Sequence, residues 1–284
     1  MATEKQTNKA RKMLEAIHGP ALSEAESGQV TDVMSARFAR EVEQQQTQQK
    51  KFREITRPLS EALARTYAEL TDKMRAELEA SFSKIPPVKP PDTPTFDSAL
   101  LPGSIIAIFA PPYDFGVQHG GQEASGRADI GQIHVRSQEI GAGAISANAQ
   151  IGKWFWPITN GIVRFRTVVD YSFSWWDKSL FYTAHNHGFV GVFVFEQTNS
   201  VNRLILDNRV QLWNDGTGWV EGHNGSGSGF HEVFDLPFFA RQGSAYFLGV
   251  WCGCSVDADS GFGGFSAASA EFTGNVPLIV VKTQ

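Results

Sequence analysis

The sequence predicts a two-part chain, in which an N-terminal helical, coiled-coil-like segment precedes a β-sandwich of the jelly-roll type. Of the first 90 residues, 28 are charged and 2 are glycine, whereas the other 194 contain 27 charged residues and 25 glycines. Charged, glycine-poor sequence favours helices, and aromatic sequence interrupted by glycine favours strands and turns. The composition predicts a helical segment at 1–85, a proline-rich linker at 86–96 and a head domain at 97–284.

An apolar stripe is the strongest periodic signal of the helical segment. From Phe52 to Ile85, apolar residues recur at steps of three and four, nine steps covering 33 residues. This spacing matches an 11-residue repeat and predicts a straight or slightly right-handed coil. We interpret the stripe as the seam of a homo-oligomeric stalk; the alternative is packing against other helices of the same chain. The seam residues are Phe52, Ile55, Leu59, Leu63, Tyr67, Leu70, Met74, Leu78 and Phe82.

The linker separates the two parts in space. Five prolines fall between residues 86 and 94. Proline fixes φ and lacks an amide hydrogen, so this stretch favours extended polyproline II rather than helix. It predicts a semi-rigid spacer that holds the head away from the stalk.

The head is predicted to contain about ten short strands without a helix. Turn residues separate apolar or alternating runs, a pattern typical of sandwiches and jelly rolls. The candidates are Ser104–Phe109, Ile133–Arg136, Lys153–Trp156, Ile162–Trp175, Gly188–Glu196, Leu204–Trp213, Phe230–Phe239, Ala245–Cys254, Ala267–Phe272 and Pro277–Lys282. In architecture alone, the predicted chain resembles stalk-and-head assemblies such as tumour-necrosis-factor-like heads and phage fibre tips.

A glycine-rich stretch from Trp213 to Gly229 is the most unusual part of the head. It holds six glycines and is predicted to form a long loop. An exposed indole stacks on the apolar face of a sugar, while a nearby amide and carboxylate bind its hydroxyls. The alternative is a flexible connection whose tryptophan returns to the core. The candidate ligand-binding residues are Trp213, Asp215, Trp219, Glu221 and His223.

The adjacent pair Trp175 and Trp176 supplies one more candidate. Neighbouring residues on a strand point to opposite faces, so one ring is expected in the core and the other outside. We assign Trp176 as the outer ring, which would lie at an interface or bind a ligand.

Signals for metal ions are weak in this sequence, and no cofactor is predicted. Asp257 and Asp259 precede a turning glycine and offer two oxygen ligands to Ca²⁺, but the other acids of a calcium loop are missing. His185 and His187 share one strand face and are only a partial match to a metal site. Two cysteines one residue apart are expected to be buried small apolar residues.

Several classes of function are disfavoured. The net charge of −5 argues against nucleic acid as a partner. No apolar run is long enough to predict a transmembrane helix. The first residues lack the pattern of a secretory signal, so the location is left as cytoplasmic or exported by a non-classical route. Neither a nucleophile elbow nor a nucleotide-binding loop occurs.

These observations favour a non-enzymatic, oligomeric binding or structural protein. Its head would recognise a glycan or a protein receptor, and the stalk would add weak contacts by avidity. One alternative is a pore-forming or membrane-active toxin whose helical part is released from the β-domain. A further alternative is a carbohydrate-active enzyme, for which Asp215 and Glu221 are the first carboxylates to test.

Overall fold

The computed structural model describes residues 105–198, 202–261 and 264–283, and part of residues 33–58. Ten strands form one sheet in the order β2-β5-β8-β6-β10-β4-β3; β1 and β9 pair with β10, and β7 pairs with β6. The strands are β1 (Ile105–Phe109), β2 (Phe115–Gly120), β3 (Glu123–Arg127), β4 (Gln132–Ile140), β5 (Gly143–Phe155), β6 (Gly161–Gln197), β7 (Asn202–Ala240), β8 (Ala245–Ala258), β9 (Ser260–Gly261) and β10 (Gly264–Thr283).

The sheet folds over into two layers because β6 changes its neighbour halfway along. Its first half pairs with β10 as far as Leu180, and its second half pairs with β8 from Ala184 onward. Strand β7 follows β6 through both halves as an antiparallel partner. The result is a nearly closed sandwich, which confirms the predicted β-sandwich. One layer contains β3, β4 and β10, and the other contains β2, β5 and β8.

The fold-over centres on Phe181. Its φ is 65°, in the left-handed region that residues other than glycine rarely adopt, and the register with β7 shifts between Leu180 and Tyr182. An extra residue on one strand sharpens its bend. The bend at Phe181 therefore sets the corner at which β6 and β7 pass from one layer to the other.

The core lies between the two layers and is closely packed. Phe272 of one layer and Val250 of the other are fully buried in it. Cys252 and Cys254 are free and buried in the same core, where the Cys254 sulfur lies 3.4 Å from the Ser137 hydroxyl. The structure thus confirms the expectation that both thiols are buried, and burial raises the pKa of Cys254 to about 12.

The predicted loop at 213–229 is wrong: this stretch lies entirely within β7. Three of its glycines lie opposite aromatic residues of β6, whose rings cover them. A Cβ on any of these glycines would overlap the ring, so glycine here makes room for a neighbour rather than for a turn. The pairs are Gly225 with Trp175, Gly227 with Phe173, and Gly229 with Tyr171.

A second apolar cluster is separate from the core between the layers. It joins aromatic residues of β5, β6 and β8, including Phe193, Phe247 and Trp251, to Met34. Met34 is 1% exposed and belongs to the helical segment, by which we mean the helical residues described between 33 and 58. The start of this segment is therefore packed on the sheet.

Two ion pairs flank this helix–sheet contact. Arg37 lies 2.9 Å from Asp207, and Arg209 contacts both carboxylate oxygens of Glu41. The sequence predicts a stalk held away from the head, but Met34, Arg37 and Glu41 contact the head directly. In the described part of the chain, no helix is long and apolar enough to cross a membrane.

Some predictions lie outside the described residues. Of the seam residues, only Ile55 is described; it is helical and 78% exposed. The remaining seam positions and the linker at 86–96 are not among the described residues. The predicted strands Ile162–Trp175 and Gly188–Glu196 are one strand, β6, and the predictions missed β2, β3 and β9.

Candidate functional site

Four polar residues meet on the inner side of the corner between β6 and β7. They are Asp177 from β6 and Asp215, Glu221 and His223 from β7, and we call them the acid–imidazole cluster. Straight strands would hold residues eight or nine positions apart about 26–30 Å from each other. Here His223 bonds to Asp215, and Asp177 bonds to Asn186, so both strands fold back on themselves.

The cluster is organised by its own hydrogen bonds. Nδ1 of His223 lies 2.8 Å from Oδ2 of Asp215, so the ring donates to that carboxylate. Nε2 of the same ring lies 3.8 Å from the Glu221 carboxylate. Asp177 accepts from the amide of Asn186 at 2.7 Å and from the backbone N–H of His223 at 3.3 Å. The imidazole thus sits between two carboxylates, above a third.

Exposure differs across the cluster. Asp177 is fully buried, whereas the side chains of Asp215, His223 and Glu221 are 31%, 39% and 54% exposed. Burial, together with the nearby charge of Asp215, raises the pKa of Asp177 to about 7. The hydrogen bond to Asp215 raises the pKa of His223. The cluster therefore has a buried acidic floor and a solvent-facing rim.

Three buried side-chain oxygens near the cluster in the strands have no hydrogen-bond partner. Oδ1 of Asn186, Oγ of Ser179 and Oγ1 of Thr217 are buried and lack a hydrogen-bond partner. All three residues are at most 4% exposed. Strand alternation places Ser179 on the same face as Asp177, and Thr217 on the same face as Asp215. Unsatisfied buried oxygens usually indicate a missing water, ion or ligand group.

Two of the predicted tryptophans, Trp213 and Trp176, are not part of the rim. Trp213 is 6% exposed and its ring stacks on Phe173 in the core at 5.0 Å, so the expectation of an exposed ring is wrong. The backbone of Trp219 pairs with Tyr182, and its side chain is outside the described residues. Trp176 is half-buried beside Lys178, while Trp175 packs against the core, as alternation predicts.

The other metal candidates lie elsewhere. Asp257 pairs with His185 across β8 and β6, and Asp259 accepts from the backbone of Ser260. Burial lowers the pKa of His187. In the ranges that the structure describes, the group of acids and histidines close enough to share a metal ion is Asp177, Asp215 and His223. The calcium prediction at Asp257 and Asp259 gains no support from this geometry.

Sequence reasoning found three members of the cluster and missed Asp177. The residue lies 38 positions before Asp215, and only the pairing of β6 with β7 joins them. A signal was present, because Tyr171, Phe173 and Trp175 alternate along one strand face and Asp177 continues that face. An acid at the next inward position of an aromatic strand is unusual enough to indicate a site.

A cavity of about 270 Å³ is lined by residues from both ends of the β6–β7 hairpin. Glu196, Arg203, Arg241 and Phe239 are among its lining residues, and Phe239 is 55% exposed. Glu196 is itself satisfied by Arg203 and Tyr246, at 2.9 and 2.8 Å. None of the predicted ligand-binding residues lines this cavity.

Comparison with solved structures gives distant likenesses. No protein-family profile and no curated protein matches the sequence. A solved carbohydrate-binding module, TmCBM61 in complex with β-1,4-galactotriose, is 11% identical, with a TM-score of 0.20 over 60% of this chain and 88% of that one. The Eiger TNF of S. frugiperda is 8% identical, with a TM-score of 0.21 over 60% and 94%. A carbohydrate-binding module of the β-sandwich superfamily is 13% identical, with a TM-score of 0.21 over 65% and 59%.

Proposed function

We propose that this chain is a non-enzymatic binding protein whose β-sandwich recognises a glycan through the acid–imidazole cluster. The observation that carries the proposal is the half-exposed rim of Asp215, Glu221 and His223, oriented by contacts within the cluster. Carboxylates accept hydrogen bonds from sugar hydroxyls, and an imidazole can donate or accept. A rim already held in place loses little conformational entropy on binding, which favours recognition of a weakly bound polar ligand.

Binding of soluble oligosaccharides to the full-length chain tests this proposal. We expect Glu221→Gln and His223→Ala to lower the affinity about tenfold or more for any glycan that the wild type binds, since each removes a charged hydrogen-bonding partner. Glu123→Gln is the matched control, because Glu123 also lies near a histidine, His134, and is 60% exposed. Equal affinity of wild type and both rim variants would exclude this cluster as the glycan site.

We further propose that the helical segment assembles several copies. Ile55 is 78% exposed on this segment, which leaves an apolar residue of the predicted seam open to a neighbour. Light scattering after gel filtration would give the absolute mass of the full-length chain. We expect a defined oligomer for the wild type and a smaller species for Ile55→Asp. A monomeric wild type would contradict the stalk.

Glycoside hydrolysis is a second candidate, favoured by one observation. Carboxylate oxygens of Asp177 and Asp215 lie within 4.8 Å of each other, and the pKa of Asp177 is raised to about 7, as for a general acid. Against it, Asp177 is fully buried beneath the rim. Hydrolysis of an oligosaccharide that disappears in both Asp177→Asn and Asp215→Asn would establish the enzyme and overturn the non-enzymatic proposal.

A further inference from the structure

The acid–imidazole cluster has the composition of a metal site as well as a binding rim. One ligand atom each of Asp177, Asp215 and His223 lies within 4.8 Å of the others. A tetrahedral ion with bonds of 2.0–2.2 Å holds its ligand atoms about 3.3–3.6 Å apart. Asp215 and His223 are only partly buried, so a small movement of their side chains brings the three atoms to that spacing.

We propose that the acid–imidazole cluster binds a divalent transition-metal ion of the zinc type, with Asp177, Asp215 and His223 as its ligands. The ion would take the place of the hydrogen that His223 Nδ1 now donates to Asp215. Two carboxylates balance the charge of a divalent ion, and a neutral imidazole completes three protein ligands. This number leaves a fourth position for water or another oxygen.

Asn186 gives independent support for an ion at this point. It is 2% exposed, its Nδ2 donates to Asp177 at 2.7 Å, and its Oδ1 has no partner. An unpaired buried carbonyl oxygen is costly, and an adjacent cation would satisfy it. A flip of the amide would exchange the bond that Nδ2 now donates to Asp177 for a contact between Oδ1 and an ion beside Asp177, so the ion would replace the lost hydrogen bond.

Glu221 lies at the position of a carboxylate that accepts a hydrogen bond from a metal-bound histidine. Metal-bound histidines commonly donate their second ring N–H to a carboxylate, which orients the ring and makes it more basic. With Nδ1 of His223 on the ion, Nε2 faces Glu221 at 3.8 Å. The cluster therefore contains both a ligand set and the carboxylate that supports its imidazole.

The ligand chemistry selects the class of ion. Calcium takes six to eight oxygens, and magnesium keeps several waters, so neither requires an imidazole at the centre of the site. Imidazole with carboxylate suits zinc and its transition-metal neighbours. A copper or iron site with thiolate ligands is excluded for this cluster, because both cysteines are buried in the core.

Metal binding is best measured on the full-length, chelator-stripped chain, with ZnCl₂ and CaCl₂ titrated separately by calorimetry in the absence of any glycan. This inference concerns the site of the proposed function, but metal binding and glycan binding can fail separately. We expect one tight Zn²⁺ per chain and weaker or absent Ca²⁺ binding. A stronger affinity for Ca²⁺ than for Zn²⁺ would overturn the assignment, and so would the absence of Zn²⁺ binding.

Variants decide whether the ion sits in the cluster. Asp177→Asn and His223→Gln should each lower the Zn²⁺ affinity at least a hundredfold, and Glu221→Gln about tenfold. His134→Gln, which alters the histidine paired with Glu123 outside the cluster, should leave the affinity unchanged. Glu221 is exposed, so its variant keeps the test valid if a ligand variant fails to fold. Zn²⁺ affinity unchanged by all three cluster variants would place the ion elsewhere and overturn the proposal.

Discussion

Arg209 of β7 holds Glu41 of the helical segment through two hydrogen bonds, while its guanidinium lies over the rings of Phe189 and Trp251. One side chain thus joins an ion pair to the aromatic cluster that Met34 covers. A planar guanidinium suits this double role, because it can bond a carboxylate at its edge and stack on aromatic rings with its face. The contact fixes the start of the helical segment on the sheet.

Breaking this pair should loosen the helical segment without unfolding the sandwich. We expect Arg209→Met and Glu41→Gln each to lower the stability of the docked segment by about 1–3 kcal/mol, the range for charge-assisted hydrogen bonds. Hydrogen exchange at residues 33–51 measures this loss. The double variant should cost less than the sum of the two, since both remove one interaction.

The matched control is Arg127→Met, whose partner Asp129 forms a pair that is exposed on both sides. Exposed pairs contribute about 0–1 kcal/mol, so this variant should leave exchange in the helical segment unchanged. Strictly additive effects of Arg209→Met and Glu41→Gln would show that the two residues act separately.

The same contact should depend on pH. Burial alone would raise the pKa of Glu41, but the hydrogen bond and charge of Arg209, aided by Arg37, hold it below its usual 4.5. The contribution of Glu41 is therefore complete above about pH 4.5 and is lost as the pH falls through the lower folded-state pKa. Asp207 also faces these arginines, but burial raises its pKa, so its contribution changes in the opposite direction.

The Glu41→Gln variant separates the pH dependence due to Glu41 from that due to Asp207. In the wild type, we expect protection of residues 33–51 to fall as the pH is lowered below about 4.5, relative to the variant, which lacks the titrating carboxylate. Parallel exchange profiles of variant and wild type would show that Glu41 does not control docking.

Dye release from liposomes over the same pH range tests whether an undocked segment acts on membranes, as the toxin alternative requires.

The sequence predicted the sandwich but misjudged its longest strand. Alternation and turn residues located most strands, because those signals are local. The stretch from Trp213 to Gly229 was interpreted as a loop because glycine normally weakens a strand. The reason for Gly225, Gly227 and Gly229 is the set of rings on β6 opposite them, and that pairing is not visible in either strand alone.

The candidate site was partly predictable for a similar reason. Asp215, Glu221 and His223 lie within nine residues of one another, so the sequence groups them as candidates, but the fold-back of β7 is what brings Asp215 and His223 into contact. Asp177 and Asn186 join them only through the bend at Phe181, whose left-handed backbone no sequence pattern announced. The contact between the helical segment and the sheet was also not predictable from the sequence, since Glu41 and Arg209 are 168 residues apart.

Met34 should account for much of the helix–sheet contact. It is 1% exposed against Phe189, Trp251 and neighbouring rings, and shortening a buried methionine to alanine typically costs about 2–5 kcal/mol. We expect Met34→Ala to increase binding of a dye that reports exposed apolar surface, as the aromatic cluster opens. Ile55→Ala is the control, because Ile55 is 78% exposed and should change dye binding little in a monomeric sample. If Met34→Ala binds no more dye than the wild type, the rings are covered without Met34.

Gly188 tests whether ring packing, rather than flexibility, determines the glycine positions of the hairpin. A Cβ at Gly188 would lie 2.0 Å from the ring of Trp213, which is buried and stacked on Phe173. The ring has little space to move, so Gly188→Ala should lower the free energy of unfolding by about 1–3 kcal/mol.

Gly218→Ala is the matched control: its Cβ would meet no atom within 4 Å, and we expect a neutral effect or a gain of up to about 1 kcal/mol. Urea unfolding followed by tryptophan fluorescence compares the two. Equal losses would mean that both glycines serve the backbone of a bending strand, whereas a loss confined to Gly188→Ala means that the Trp213 ring determines which residue fits there.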